Sequence, residues 1–457
     1  MFRAKESILA IVILIAGWSL VALPMGMTGN QGLVAAIVLV TLVLWGTGLV
    51  PGYVASTFLF STLILTGAAA PQLVFSSFAS SAIWLVVTGF VIGAAISHGG
   101  LGARLGDLAR PYLSRSYTAL IAGLMVLGMA LGFVMPSSLG RAAVLVPIGM
   151  ALADALGLEK GTAGRTGVAI TIAIGTNMPS FAILPSNIPN VILAGVAEAS
   201  LGTHFGYGRY LLLHYPVLGL LKSVAIVALV LKFFPARITQ GDAPHTVTSA
   251  AAGRQAALIA IFLVTLLLWS TDQLHGLNPA WIGLGTSLVL MIPQFGFVPP
   301  PVFRTSVDFS MLLFVAGALT LGTVVNASGL GALIAGGVFD ALPFEEGADF
   351  LNFVSLCLLS VVTSIFTTMA GVPAVLTPLV PQLAKATGLS QEAVLMTQVI
   401  GFSSVLFPYQ VGPLIVAMGL AGESTRPLLK VTLALFAITA LILIPVDFLW
   451  WKFLGVL

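Results

Sequence analysis

Charge is almost absent from this chain except at the ends of apolar runs, and those runs are about 20 residues long. A run of that kind has to satisfy its own backbone hydrogen bonds wherever it meets lipid, which leaves only helices or a closed barrel. A barrel would show alternating segments of about ten residues. Here the apolar stretches are continuous, so the chain is expected to be an all-α integral membrane protein. Only 7% of its residues are charged, where a soluble domain carries about a quarter. One cysteine, Cys357, excludes an intrachain disulfide and a cysteine metal cluster. No phosphate loop, nucleotide fingerprint, zinc spacing or triad order occurs. The expectation is a protein that is not an enzyme, with membrane lipid and a small solute as partners and no nucleic acid.

The runs predict spans at 7–25, 33–50, 52–69 and 82–98, then a surface helix at 101–116 where leucines and arginines alternate at helical spacing. A hairpin follows at 117–157, a span broken in its middle at 164–200, and a span at 211–235. The polar stretch 236–254 is a linker, after which come spans at 255–271, 281–296 and 309–326. A surface helix near 330–346, a hairpin at 351–388, a broken span at 392–422 and a last span at 431–449 complete the chain.

The second series repeats the first. Gly100-Leu-Gly-Ala103 recurs as Gly329-Leu-Gly-Ala332, Pro147 as Pro378, Ile174-Gly175 as Ile400-Gly401 and Pro185 as Pro408, all 223 to 231 residues on and in the same order. The division is therefore an extra N-terminal helix (1–32), repeat one (33–235), a cytoplasmic linker (236–254) and repeat two (255–457). Eleven crossings and two hairpins give the repeats opposite orientations. With the N-terminus cytoplasmic and the C-terminus outside, thirteen of the 18 Lys and Arg residues fall on the inner side, as the positive-inside rule requires of a bacterial inner membrane protein. Inverted repeats with discontinuous helices are the architecture of secondary transporters.

Broken backbone and charge at membrane depth are tolerated where they line a cavity. The first hairpin tip carries Ser137, Ser138, Leu139, Gly140 and Arg141, and the second Thr367, Thr368, Met369, Ala370 and Gly371. The broken spans add Gly175, Thr176, Asn177, Ser186, Asn187 and Asn190 on one side and Ser403, Ser404, Tyr409 and Gln410 on the other. Pro136, Pro179, Pro185, Pro189, Pro373, Pro378, Pro408 and Pro413 mark where backbone is unwound. This set is rich in donors, with one cation and no acid, which suits an anion. The bland alternative is that Ser, Thr and Gly merely pack helices. Lys222, inside its helix, reads as snorkelling or structurally paired, His98, His204 and His214 as structural or interfacial, Asp308 and Asp447 as without a role, and Trp450 and Trp451 as an interfacial belt. A cation/proton antiporter would place acids at the midplane, and a membrane-embedded enzyme would carry an Asp-rich or His-bearing loop.

The two tips and broken spans resemble the divalent anion:sodium symporter family of the ion transporter superfamily. Its members carry Ser-Asn-Thr at each tip, then Ala-Thr-Ala-Ala and a Leu-Pro turn. The matching residues here are Ser137-Ser138-Leu139, Gly140-Arg141-Ala142-Ala143 and Val146-Pro147, with Phe366-Thr367-Thr368-Met369-Ala370 at the second tip. The family's Gly-Thr-Pro-Pro-Asn segment is approximated by Ser186-Asn187-Ile188-Pro189-Asn190 and by Gln410-Val411-Gly412-Pro413-Leu414. The resemblance implies an elevator-type transporter, a homodimer, that moves a dianion such as a dicarboxylate, citrate or sulfate together with sodium and needs no other cofactor. It also implies substrate contacts from Ser137, Ser138, Leu139, Gly140, Arg141, Asn187, Asn190, Thr367, Thr368, Met369 and Gln410. Sodium contacts are implied from Ser137, Gly175, Thr176, Asn177, Thr368, Gly371, Ser403 and Ser404. Both tip asparagines are absent. Arg141 then either replaces one sodium ion or pairs with the anion, and sodium-independent exchange and proton coupling remain the alternatives to symport.

Overall fold

A computed structural model describes residues 2–135, 137–238, 252–333, 342 and 344–457. Pro136, the linker residues 239–251 and most of the predicted surface helix at 330–346 lie outside them. The described chain is helical throughout, without strands, and nine of its helices are long and apolar enough to cross a membrane. The helices that matter below are α1 (Phe2–Ala22), α2 (Gly29–Thr47), α3 (Gly52–Leu65), α4 (Ser81–His98), α5 (Leu101–Leu113), α6 (Tyr117–Val134), α7 (Ser138–Ala155), α8 (Ala163–Gly175) and α9 (Ile188–Leu201). The first half ends with α10 (Tyr207–Phe233). Then follow α11 (Ala252–Ser270), α12 (Pro279–Met291), α13 (Phe309–Ala327), α14 (Asp349–Thr367), α15 (Gly371–Leu376), α16 (Val380–Thr387), α17 (Gln391–Phe402) and α18 (Gly412–Leu420). The last is α19 (Arg426–Phe453).

Helix starts are set by side-chain caps, which matter more where no water is present to satisfy free N–H groups. Thr28 makes a reciprocal capping box with Gln31 on α2, and Ser80, Ser116, Thr162, Asn278, Asp308 and Ser390 cap α4, α6, α8, α12, α13 and α17. Asp308, given no role from sequence, is therefore a cap.

The sequence landmarks of the repeat now have physical causes. Gly100 and Gly329 turn the chain in the left-handed region, with φ of 65° and 72°, a conformation that glycine adopts without steric cost. Gly175 and Gly401 sit where a hairpin crosses a broken span. A Cβ on Gly401 would lie 2.2 Å from the Ser360 Cβ of α14, and one on the facing Gly128 of α6 would lie 2.7 Å from the Gly175 carbonyl.

The two broken spans run antiparallel. The start of α8 meets the end of α18 through Arg165 and Glu423 (3.6 Å) and Thr166 and Glu423 (2.8 Å). At the other end Arg209, just beyond α9, pairs with Glu392 at the start of α17 (2.9 Å). Hairpin α6–α7 packs on α8, and hairpin α14–α15 on α17; α18 crosses back onto α7 and α8, and α9 onto α15. The two halves of the chain therefore interlock. Two separate hydrophobic clusters result. One holds the hairpins, most of the broken spans, α10, α19, the end of α4 and residues of α11 and α12; the other is built from α2, α3, the start of α4 and α13 and takes in Val191, Ile192 and Val196 of α9 and Ala374 of α15.

Three details differ from expectation. Trp451 is fully buried, edge-on to Phe353 and His214, so it is a core residue rather than part of a belt. The second hairpin's outgoing arm is interrupted by a tight turn at Thr377–Leu379. Helices α10 and α19 each contain a π-helical segment, Tyr215–Leu221 and Thr439–Leu443, and the two segments touch.

Candidate functional site

The first tip is built on the N-terminus of α7. Ser137 caps it, its hydroxyl accepting from Gly140 N at 3.1 Å, so its side chain is used locally. One turn on, Arg141 is fully buried and points back across the tip. Its Nε donates to the Thr176 carbonyl at 2.7 Å, Nη2 to the Ser138 hydroxyl at 2.9 Å, and Nη1 to the Met135 carbonyl. Both terminal nitrogens also reach the Ser186 carbonyl, at 3.3 and 3.2 Å. A guanidinium has five N–H donors, and all five are spent on protein oxygens. Arg141 therefore sews the tip to the unwound middle of the α8–α9 span, which places the tip at the depth of the break.

That unwound segment is held by its own polar groups. The Asn190 amide donates to the carbonyls of Ser180, Phe181 and Ile183 at 3.3, 3.0 and 2.9 Å, and Asn187 donates to the Ser180 hydroxyl at 3.0 Å while capping α9. The Thr176 hydroxyl bonds back within α8. Gly175 is a packing position against Met125. Asn177 is different: it is 1% exposed and neither its Oδ1 nor its Nδ2 has a hydrogen-bond partner. Asn190 also leaves its Oδ1 without a partner, but only Asn177 among the predicted residues of this half has both amide atoms left open.

In the second half, Gln410 accepts from Leu406 N and Phe407 N at 2.9 and 2.7 Å and donates to the Ser364 hydroxyl at 2.8 Å. It thereby ties the unwound α17–α18 segment to the end of α14, as the Tyr409 hydroxyl does through the Ile365 carbonyl at 3.1 Å. At the tip Thr368 has φ 69° and ψ 168°, a region that side chains other than glycine occupy only under strain. Thr367 and Met369 beside it are buried, and Gly371 opens α15. Ser403 and Ser404 bond to the Ile400 carbonyl at 3.1 and 2.6 Å. The halves meet where the rings of Phe181 and Phe402 pack, 5.7 Å between centroids. Leu139 is the exposed residue of the first tip, at 38%.

The structure adds a residue that sequence reasoning set aside. Lys222, at the end of the π segment of α10, is 1% exposed and donates to the Ser403 carbonyl at 2.7 Å. It does not snorkel. Asp447, 225 residues on and just past the π segment of α19, is also fully buried, with neither carboxylate oxygen hydrogen-bonded. The shared register of Lys222 and Asp447 with the other repeat landmarks was the signal available in sequence. Among the described residues no carboxylate bonds to either tip or either unwound segment, and none join His or Cys in a metal cluster.

The family profile for the sodium:sulfate symporter transmembrane region matches residues 3–457. The chain belongs to that family. This symporter-family chain is 22% identical over 400 residues to an L-tartrate/succinate antiporter of Shigella dysenteriae, covering 82% of the chain and 79% of the relative. It is 24% identical over 435 residues to the chloroplastic dicarboxylate transporter 2.2 of Arabidopsis thaliana, covering 89% and 75%. In fold it is similar to the YdaH transporter of Alcanivorax borkumensis, with a TM-score of 0.59 at 15% identity over 84% of this chain and 87% of that one. It is a multi-pass membrane transporter of the anion-carrying class, not an enzyme.

Proposed function

We propose that the protein is a secondary transporter of small dianions of the dicarboxylate class, working by an elevator movement. The observation that carries the substrate class is the make-up of the two tips and two unwound segments: among the described residues hydroxyls, amides and a buried guanidinium gather there without a carboxylate, and the buried Asn177 amide has no hydrogen-bond partner. Helix N-termini and donors of this kind favour anions. The names of the two relatives, which speak of dicarboxylates, agree with it. The elevator reading is supported by close approaches at glycine where α9, the second half of a broken span, meets α4 and α13. A Cβ on Gly195 of α9 would meet Ala82 and Leu319 at 2.6 Å, and one on Gly322 of α13 would meet Val196 at 2.7 Å. Small residues let packed helices approach closely without interlocking side chains. The reading includes a homodimer in an inner membrane with the N-terminus cytoplasmic.

The test is thermal unfolding of the purified protein against succinate, tartrate, citrate and sulfate. A ligand held by the folded state alone raises Tm by mass action. Stabilisation by a dicarboxylate at millimolar concentration is expected; a flat response to every anion overturns the reading. Light scattering on the same detergent-solubilised sample checks the dimer, and a monomer mass rules it out.

A further inference from the structure

Between the start of hairpin α6–α7 and the exit of α10 lies a cavity of about 530 Å³, lined by Arg115, Ser116, Thr118, Leu231, Pro235 and Arg237 among others, with no carboxylate in its wall. Tyr117 closes it on the inside, where its hydroxyl donates to the Gly164 carbonyl at 3.1 Å and ties α6 to α8. Arg115 stands just before α6 and Arg237 just after α10, and both are exposed. Among the described residues neither guanidinium has a hydrogen-bond or ion-pair partner. Other arginines spend theirs on protein: Arg104 on Gln255, Arg165 on Asp154, Arg209 on Glu392 and Arg254 on the Gly296 carbonyl. Arg115 is held instead 4.8 Å over the Tyr112 ring, a contact with the guanidinium face that leaves its N–H donors free. The first turn of α6 adds backbone donors, since the Ser116 hydroxyl accepts only from Ala119 N, at 3.0 Å.

The spans that frame this cavity fix its depth. Helices α6 and α10 are both long and apolar enough to cross a membrane. They pack side by side and antiparallel, and their far ends meet through the rings of Phe133 and Tyr215, 5.1 Å between centroids. Arg115 and Arg237 therefore stand level with each other at one membrane surface, where lipid headgroups lie. Lys232 in the last turn of α10, and Lys430 placed 4.2 Å over the Phe233 ring, bring two more positive charges to the same end. Below the arginines run two exposed rows at helical spacing: Leu221, Val224 and Ala228 on α10, and Thr118, Val126 and Ala130 on α6. Both rows reach the cavity, one through Leu231 and the other through Thr118. A free anion has no use for such rows, whereas acyl chains attached to the anion do.

We propose that this cavity is a docking site for an anionic phospholipid, its phosphodiester held between Arg115 and Arg237 and its acyl chains laid along α6 and α10. Guanidinium groups pair with phosphate oxygens two at a time, and basic pockets between membrane helices take such headgroups on the cytoplasmic side. That is the side on which the basic loops of this chain are expected. The headgroup then bridges the start of the first hairpin to the stretch where the chain leaves its first half. The site lies a full helix length from the first tip, so its occupancy does not depend on the solute carried.

The experiment titrates the purified full chain, in a neutral detergent, with dioleoylphosphatidylglycerol, with dioleoylphosphatidylcholine and with inorganic phosphate. Retained ligand is read by native mass spectrometry and stabilisation by Tm. Tight retention of phosphatidylglycerol with a rise in Tm is expected, about tenfold weaker retention of phosphatidylcholine, and no shift from millimolar inorganic phosphate. Each arginine facing an anionic headgroup is worth about fivefold in affinity. Arg115→Gln with Arg237→Gln should therefore weaken phosphatidylglycerol retention by about tenfold or more, at an unchanged Tm in lipid-free detergent. Arg304→Gln, at an exposed arginine elsewhere on the chain, should change nothing. The single variants Arg115→Gln and Arg237→Gln, each expected to lose about fivefold, carry the test should the double variant fail to fold. Equal retention of phosphatidylcholine, or inorganic phosphate stabilising as strongly as the lipid, overturns the lipid assignment. Parental retention in the double variant, or an equal loss in Arg304→Gln, overturns the site. A change of oligomeric mass in the double variant gives this face to a second copy of the chain and overturns the proposal as well.

Discussion

Three side chains show how differently a polar residue can behave at membrane depth. Arg141 costs several kcal/mol to desolvate, and five charge-assisted bonds to backbone and hydroxyl oxygens offset that. Asn177 has no such compensation: its orphaned amide costs about 1–3 kcal/mol, which a packing role would not retain. Asn177→Leu should leave Tm equal or higher while weakening dicarboxylate affinity at least tenfold, about 1.4 kcal/mol. Calorimetric titration beside a melting curve checks it, and unchanged affinity would remove Asn177 from the site. Thr368 stores strain of about 1–3 kcal/mol. Thr368→Gly relieves it and loses only about 0.4–1 kcal/mol to a freer unfolded chain. The variant should melt higher than the parent; a lower Tm would show that the tip geometry is not strained.

Among the elements, the crossings of hairpin and broken span are set by glycine. With Ser360 only 2.2 Å from where a Cβ would stand on Gly401, Gly401→Ala has to push α14 off α17. Overpacking of that kind costs about 1–3 kcal/mol. Gly419, also in a helix but facing open space, provides the contrast. There alanine should stabilise by about 0.5–1 kcal/mol through helix propensity. Paired melting curves of Gly401→Ala and Gly419→Ala test the difference in sign. The π segments of α10 and α19 belong to this scale as well. An inserted residue in a helix re-aims the side chains beyond it, and such bulges collect at functional positions; here they precede the buried Lys222 and Asp447.

For the whole molecule, the question is whether the broken span that ends in α9 moves against α13. The Val196 and Gly322 contact joins the two, with a Cβ at Gly322 2.7 Å from a Val196 methyl, close enough for a disulfide. The double variant Val196→Cys, Gly322→Cys should lose transport when oxidised and recover it on reduction, while still binding dicarboxylate in both states. Cys357, buried in α14, does not interfere. Transport at the parental rate in the oxidised protein would mean that α9 does not slide along α13.

Much of this was legible without coordinates, because a membrane leaves a chain few choices. Apolar run length dictated the helices, and glycine and proline spacing their turns and breaks: Gly100 and Gly329 because the turn is left-handed, Gly175 and Gly401 because backbones cross there. The same patterns named both tips and both unwound segments. What sequence could not supply was direction. Nothing in the order of residues says that Arg141 spends every donor inside the protein, that Asn190 folds back on its own loop while Asn177 stays open, or that Lys222 crosses to the other repeat to meet Ser403. Those outcomes depend on which backbone oxygens the packing of α8, α10 and α17 brings within about 3 Å, and only the assembled structure decides that.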